Sequence, residues 1–173
     1  MSEKGAIRSK KKWVWARDII LALVVFTAIT VWTTRNMLDT DGSVQVAQAN
    51  VVSLEGNVES LLSNTKPNLV YFFAPWCQIC DLSIQNLNYL DHDKVNVVAI
   101  ALDYQTREEV VDFVARNELD NPILLGTNEL KQTFNVQGYP SYYLIDQEYT
   151  VIGKSFGYST ALGLKLRETF GFL

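Results

Sequence analysis

In Leu69-Val70-Tyr71-Phe72-Phe73-Ala74-Pro75-Trp76-Cys77-Gln78-Ile79-Cys80, an unbroken apolar run ends just before two cysteines spaced C-x-x-C. A short run of β-branched and aromatic residues is the pattern of a strand covered on both faces. Two cysteines directly after such a strand suit the first turn of a helix, with their sulfurs close enough to bridge and exposed at the sheet edge. They are the only two cysteines of the chain. The spacing opens zinc sites as well as redox sites, so its surroundings have to decide between them.

A structural zinc site takes about four Cys or His ligands, and the chain offers two cysteines and one histidine. That histidine, His92, lies in a polar Asp91-His92-Asp93 segment and reads as a solvated loop residue. A c-type haem attachment needs His directly after the second cysteine; Asp81 is there instead. Ala74-Pro75-Trp76 lacks the upstream hydroxyl expected of a peroxidatic cysteine. Thiol–disulfide exchange is the expected chemistry, a purely structural bridge is the alternative, and neither needs a metal or a cofactor.

Charge divides the chain. Residues 1–35 carry seven Lys or Arg (Lys4, Arg8, Lys10, Lys11, Lys12, Arg17, Arg35) against two acids, while the remainder carries eight against seventeen. Between Asp18 and Arg35 lie sixteen uncharged, mostly aliphatic residues, Ile19 to Thr34. Trp13 to Ala16 extend this run toward the roughly 20 residues of a membrane span, and Trp15 and Trp32 sit where interfacial aromatics belong. Six of the seven basic residues precede the span, which places the N-terminus in the cytoplasm and the rest of the chain outside. A cleaved signal peptide is the competing reading. Ala47-Gln48-Ala49 has the small-x-small form of a cleavage site, but it lies far beyond the apolar run. Both readings deliver the domain to an oxidising compartment. An acidic domain without a basic stripe argues against nucleic acid as a partner.

The expected organisation is a basic cytoplasmic tail over 1–17, a transmembrane anchor over 18–35, a polar linker over 36–50 and one domain over 51–173. Within the domain, Asn68–Ala74, Val95–Leu102 and Ile123–Leu125 read as strands. Ser141–Ile145 and Val151–Phe156 read as a hairpin turning near Asp146-Gln147-Glu148. Ile84, Leu87 and Leu90 share a helical face after Cys80, and Val110, Val111, Phe113 and Val114 share another after the capping box Thr106-Arg107-Glu108-Glu109. Thr127 is placed to cap a short helix with Leu130 and Phe134, and Ser159 a last helix with Leu162, Leu166 and Phe170 on its inner side. The order β-α-β-α-β-α-β-β-α predicts an α/β fold with a mixed central sheet flanked by helices.

The stretch from Val70 to Cys80 resembles the active-site strand and helix start of the thioredoxin superfamily. A second signature, Val136-Gln137-Gly138-Tyr139-Pro140-Ser141-Tyr142-Tyr143-Leu144-Ile145-Asp146, is similar to the family's cis-proline loop and the strand after it. The resemblance covers about residues 51–173 and implies a thioredoxin-like fold with a cis Tyr139–Pro140 bond. An added helix–strand unit over Thr106–Leu125, the anchor, and Val51-Val52-Ser53-Leu54-Glu55-Gly56 resemble the membrane-tethered branch. That branch contains TlpA-like, ResA-like and cytochrome c maturation thioredoxins and the ScsD-like proteins of copper tolerance. Two departures stand out. The family's buried acid before the motif is matched by Tyr71, and the glutamate some maturation relatives carry after the second cysteine is missing from Asp81-Leu82-Ser83-Ile84-Gln85. Asp81 and Asp103 are the candidate proton acceptors by their proximity.

Cys77, at the helix start, is the expected nucleophile, since unpaired N–H groups there favour a thiolate and C-x-x-C thiols fall to a pKa of about 3.5–7.5. Cys80, one turn deeper, is the expected resolving thiol. Pro75 and Trp76 are expected to frame the site. Tyr139 and Pro140 are expected to position an extended substrate against the loop. The resemblance implies a protein-disulfide reductase of the periplasmic face of the inner membrane. Its partners would be disulfide-bearing substrate proteins and a DsbD-like membrane electron donor. A disulfide oxidant or isomerase on the same scaffold, and a non-catalytic thioredoxin-like binding module, are the alternatives.

Overall fold

The computed structural model describes residues 3–119 and 121–170, with the side chains of 3–12 and 167–170 left undescribed. The chain divides into two units, Met1–Arg35 and Asn36–Leu173. In the first, helix α1 runs Glu3–Thr34. Its stretch Trp13–Thr34 has 22 residues of mean hydropathy 2.0, long and apolar enough to cross a membrane. Apolar side chains project all round it, among them Leu23, Phe26, Val31 and Trp32, as suits a helix surrounded by lipid. Its threonines do not interrupt that surface, because Thr27, Thr30 and Thr34 donate to the carbonyls of Leu23, Phe26 and Thr30 one turn back. Of the basic tail, the side chains of Lys4, Arg8, Lys10, Lys11 and Lys12 lie outside the described residues.

The second unit is built on one seven-stranded sheet. Its strands are β1 (Asn50–Ser53), β2 (Val58–Ser60), β3 (Asn68–Phe73), β4 (Asn96–Ala101), β5 (Ile123–Leu125), β6 (Ser141–Ile145) and β7 (Val151–Phe156). They lie in the order β2-β1-β5-β4-β3-β6-β7. Strands β3, β4 and β5 are parallel, while β6 pairs antiparallel with β3 and β1 antiparallel with β5. All six side chains of β3 are buried, as its continuous apolar run requires. Odd positions (Leu69, Tyr71, Phe73) join the layer of Ile84, Leu87, Val110 and Phe113. Even positions (Val70, Phe72) join Leu61, Leu130, Phe134 and Tyr143 on the other face.

The β1–β2 hairpin adds two strands to the order expected from sequence. It is too short to carry a periodic signal, and its turn is made by Gly56 at φ 93°, a conformation open to glycine at no steric cost. After Cys80 the helix also changes character. Helix α2 covers only Gln78–Ser83, and a 3-10 helix continues over Ile84–Tyr89. Buried Ile84, Leu87 and Leu90 recur every three residues, the repeat at which 3-10 side chains eclipse. Helix α3 (Arg107–Asn117) is capped by Thr106, whose hydroxyl accepts the Glu109 amide, and α4 (Asn128–Thr133) by Thr127. The Glu109 carboxylate reaches back to the Gln105 amide at 3.0 Å, one residue earlier than a standard capping box.

The last helix, α5 (Ala161–Phe170), corrects the sequence reading. Leu162 and Leu166 are exposed, and Leu164 at 3 % is the buried residue. The cap is Thr160, whose hydroxyl accepts the Gly163 amide at 3.0 Å, and the Phe170 side chain lies outside the described residues. Which face of so short a helix is buried is decided by its packing on the 3-10 helix, which periodicity in ten residues does not fix.

Residues 36–50, a linker by composition, are laid against the sheet. Met37 and Val46 are buried. The Leu38 amide donates to the Tyr143 hydroxyl at 3.2 Å. The Val151 amide donates to the Val44 carbonyl, and the Val46 amide to the Tyr149 carbonyl, both at 2.9 Å.

Candidate active site

Parallel β3 and β4 end at Phe73 and Ala101, and β6 leaves the other side of β3 with Ser141 opposite Phe72. Loops at the carboxyl ends of parallel strands, where neighbours lead to opposite sides, form the crevice that α/β sheets use for chemistry. The chain turns out of β3 through Ala74-Pro75-Trp76, and Cys77 becomes the N-cap of α2. Cys77 and Cys80 are bridged, with their Cα atoms 5.2 Å apart. The Cys77 sulfur accepts the Cys80 amide N–H at 3.1 Å. Cys77 retains 7 % exposure and Cys80 none. The bridge is thus less open than the sequence reading held: one edge of Cys77 meets solvent, and Cys80 is sealed beneath it.

The Tyr139–Pro140 bond is cis. Pro140 is buried, and Tyr139 packs against the same apolar cluster that contains Ala74, Cys77 and Cys80. Trp76 is 64 % exposed, and its ring meets Tyr139 edge-on at 5.7 Å between centroids. Pro75 is half-buried beside it.

Asp103 follows β4 with φ 49°, so its carbonyl and carboxylate face this rim. Its carbonyl accepts the Trp76 indole N–H at 3.0 Å. Its Oδ2 accepts the Tyr139 hydroxyl at 2.9 Å and pairs with the Lys131 ammonium of α4. Partial burial pushes the Asp103 carboxyl up, but the hydrogen bonds from Lys131 and Tyr139 and the charge of Lys131 outweigh it and hold the group below the usual carboxylate range. Burial, joined by the Asp103 carboxylate, pushes the Tyr139 phenol well above its ordinary value. Asp81 points elsewhere: it accepts the Asn117 amide at 2.8 Å and faces Arg116 at 3.4 Å. Both carboxylates named from sequence as proton acceptors are therefore engaged with nitrogen or phenol donors, and none of their hydrogen bonds reaches a sulfur.

Two participants were not found by reading the sequence. Lys131 sits 28 residues from Asp103, and nothing in its own helix marks it. Ser83 is buried beneath the motif, bonded to Tyr71, the residue that takes the place of the family's acid. Only the fully buried setting of Tyr71 could have signalled a need for such a partner.

A thioredoxin-like family model matches residues 64–151, and the chain belongs to that family. A thioredoxin-like protein of Haemophilus influenzae is 28% identical over 103 residues, spanning 58% of this chain and 59% of that protein, so the match covers less than two thirds of the relative. Sporulation thiol-disulfide oxidoreductase A of Bacillus subtilis is 26% identical over 120 residues, covering 65% of this chain and 73% of the relative. The crystal structure of StoA from Bacillus subtilis superposes with a TM-score of 0.64 at 25% identity, covering 71% of this chain and 96% of that structure. With these relatives and its bridged Cys77–Cys80 pair, the chain is a thiol–disulfide oxidoreductase.

Proposed function

We propose that this protein is a membrane-tethered protein-disulfide reductase in which Cys77 attacks and Cys80 resolves. The observation that carries the assignment of roles is the difference in burial between two bridged sulfurs: Cys77 keeps an edge in solvent and Cys80 keeps none. In the reduced state a Cys77 thiolate has the Cys80 amide already aimed at it, which favours the charged, nucleophilic form. The thiolate attacks one sulfur of a substrate disulfide, that bond breaks, and the first substrate thiolate leaves. Cys80, deprotonated, then attacks the Cys77 sulfur of the mixed disulfide and expels the enzyme–substrate bond's other sulfur as the second thiolate. Two electrons have passed to the substrate, and the enzyme is left in the bridged form. The substrate chain runs in extended form beside Tyr139 and Pro140, with Trp76 and Pro75 next to Tyr139 on the same rim.

Residues 1–17 lie in the cytoplasm in this reading, 18–35 cross the inner membrane, and the redox domain stands on the periplasmic side with 36–50 docked on it. The excess of basic residues before the span supports that orientation. A membrane protein of the DsbD kind returns the protein to its dithiol form.

The test is a pair of measurements on the full-length protein. Cys80→Ser is expected to trap substrates as mixed disulfides on Cys77, and Cys77→Ser to trap none. Thiol alkylation in cells is expected to find the pair mostly reduced, and oxidised once the membrane donor is removed. A pair found oxidised with the donor present would select a disulfide oxidant, and absence of any trapped substrate would leave the bridge structural.

A further inference from the structure

We propose that Lys131 is a positioning residue for disulfide exchange: through Asp103 it holds Tyr139 and Trp76 as one fixed rim on which a substrate polypeptide is seated. The inference rests on the exchange reaction proposed above and adds to it a residue from a different part of the chain.

The geometry converges on Asp103 from three directions. Trp76, next to the attacking cysteine, gives its indole N–H to the Asp103 carbonyl. Tyr139, next to the cis proline, gives its hydroxyl to Asp103 Oδ2. Lys131, on α4, pairs with that same oxygen and lies 5.8 Å from the centre of the Tyr139 ring. The two residues that flank the chemistry are thus tied to each other only edge-on, and both are tied by hydrogen bonds to a residue that takes no part in it.

An ordinary surface ion pair would deserve no role, since exposed pairs contribute about 0–1 kcal/mol. This pair differs in two respects. Each side chain is 31 % exposed, so solvent screens it less than a free pair. Asp103 also holds a left-handed backbone at φ 49°, a conformation that aspartate adopts more readily than most residues other than glycine. That backbone is what aims the carbonyl at Trp76 while the carboxylate meets Tyr139. Without the cation, Asp103 keeps a partly desolvated carboxylate whose one side-chain donor is the Tyr139 hydroxyl, and the residue that anchors both rim aromatics is held less firmly.

A rim acts on a polypeptide that must lie across it. It matters little to a small disulfide that touches only the sulfurs. The experiment therefore compares two substrates with full-length protein in detergent: insulin and a small aromatic disulfide such as Ellman's reagent. Lys131→Met is expected to raise KM for insulin about three- to tenfold, the factor one positioning hydrogen bond controls, with kcat nearly unchanged and the small-disulfide rate altered less than about twofold. Lys131→Arg, which keeps the charge and the donor, is expected to restore the wild-type KM. Tyr139→Phe is expected to raise KM similarly, and the double variant to be no worse than either single one, because both break the same strut. Equal losses on both substrates, full additivity, or an unaltered KM in Lys131→Met would overturn the inference while leaving the exchange reaction intact. A wild-type protein inactive toward both substrates would overturn the exchange reading and this inference with it.

Discussion

The Tyr71 hydroxyl lies 2.7 Å from Ser83 Oγ, and Ser83 donates its own proton to the Ile79 carbonyl at 2.9 Å. The direction of the second bond fixes that of the first: Tyr71 is the donor. Burial pushes the phenol far above its ordinary value, and a phenol that donates its proton loses that bond on ionising, so the pair stays neutral wherever the protein works. Tyr71 also stacks on Tyr142, with ring centroids 5.9 Å apart. Where the resemblance places a carboxylate beneath the cysteines, this chain thus has an uncharged hydroxyl relay that braces α2 against β3.

The relay makes the two partners unequal under mutation. Ser83→Ala leaves the Tyr71 hydroxyl buried without an acceptor, at a cost of about 1–3 kcal/mol. Tyr71→Phe removes the donor and leaves Ser83 bonded to Ile79, at a cost of about 0.5–1.5 kcal/mol. Urea unfolding of the two variants is expected to rank Ser83→Ala as the less stable, and the reverse order would contradict the assigned donor.

Tyr143 couples the segment after α1 to the sheet. Its hydroxyl donates to the Phe134 carbonyl at 2.7 Å and accepts the Leu38 amide at 3.2 Å. Burial pushes its phenol up to about 12, partly offset by that amide. A folded value above the unfolded one means that the native state holds its proton longer, so this contribution is whole below pH of about 10 and is lost as pH rises toward 12. Thermal unfolding of wild type is expected to show a fall in Tm across that window. Tyr143→Phe should lower Tm at pH 7, flatten the alkaline fall, and release the 36–46 segment so that trypsin cuts faster after Arg35. Protection of that segment in the variant would show that its docking does not depend on Tyr143.

Leu164 and Leu162 offer a direct check on which face of α5 is inside. Leu164 is 3 % exposed and Leu162 70 %. Leu164→Ala should cost about 2–5 kcal/mol, while Leu162→Ala should stay within about 0.5 kcal/mol. A larger loss of denaturant midpoint in Leu162→Ala than in Leu164→Ala would mean that the helix presents the face the sequence pattern suggested.

Gly126 closes β5 against β4, with its amide on the Ala101 carbonyl at 2.9 Å. A Cβ there would lie 2.6 Å from Leu102 Cδ2 and 3.0 Å from the Ala101 carbonyl oxygen. The backbone oxygen cannot swing aside, so Gly126→Ala should destabilise by about 1–3 kcal/mol. Because Leu102 precedes Asp103, the same variant should raise KM for insulin, and a destabilised variant with wild-type KM would separate the β4 end from the rim.

The sequence by itself determined the strands of the sheet centre and the chemistry at their ends. Ile123–Leu125 and Ser141–Ile145 fall where their composition places them, because a strand buried among neighbours leaves an apolar run that little else explains. Thr106 and Thr127 mark their helices through a local hydrogen bond, and C-x-x-C carries its meaning within four residues. Tertiary structure decided the remainder. The β1–β2 hairpin and the docked 36–50 segment are held by partners far along the chain, and their own short polar stretches contain no period to read. Lys131, Asp103, Tyr139 and Trp76 come from four separate elements, so no local pattern links them. Folding brings them to one edge of the sheet, and only there does a lysine 51 residues beyond Cys80 become part of the surroundings of a cysteine.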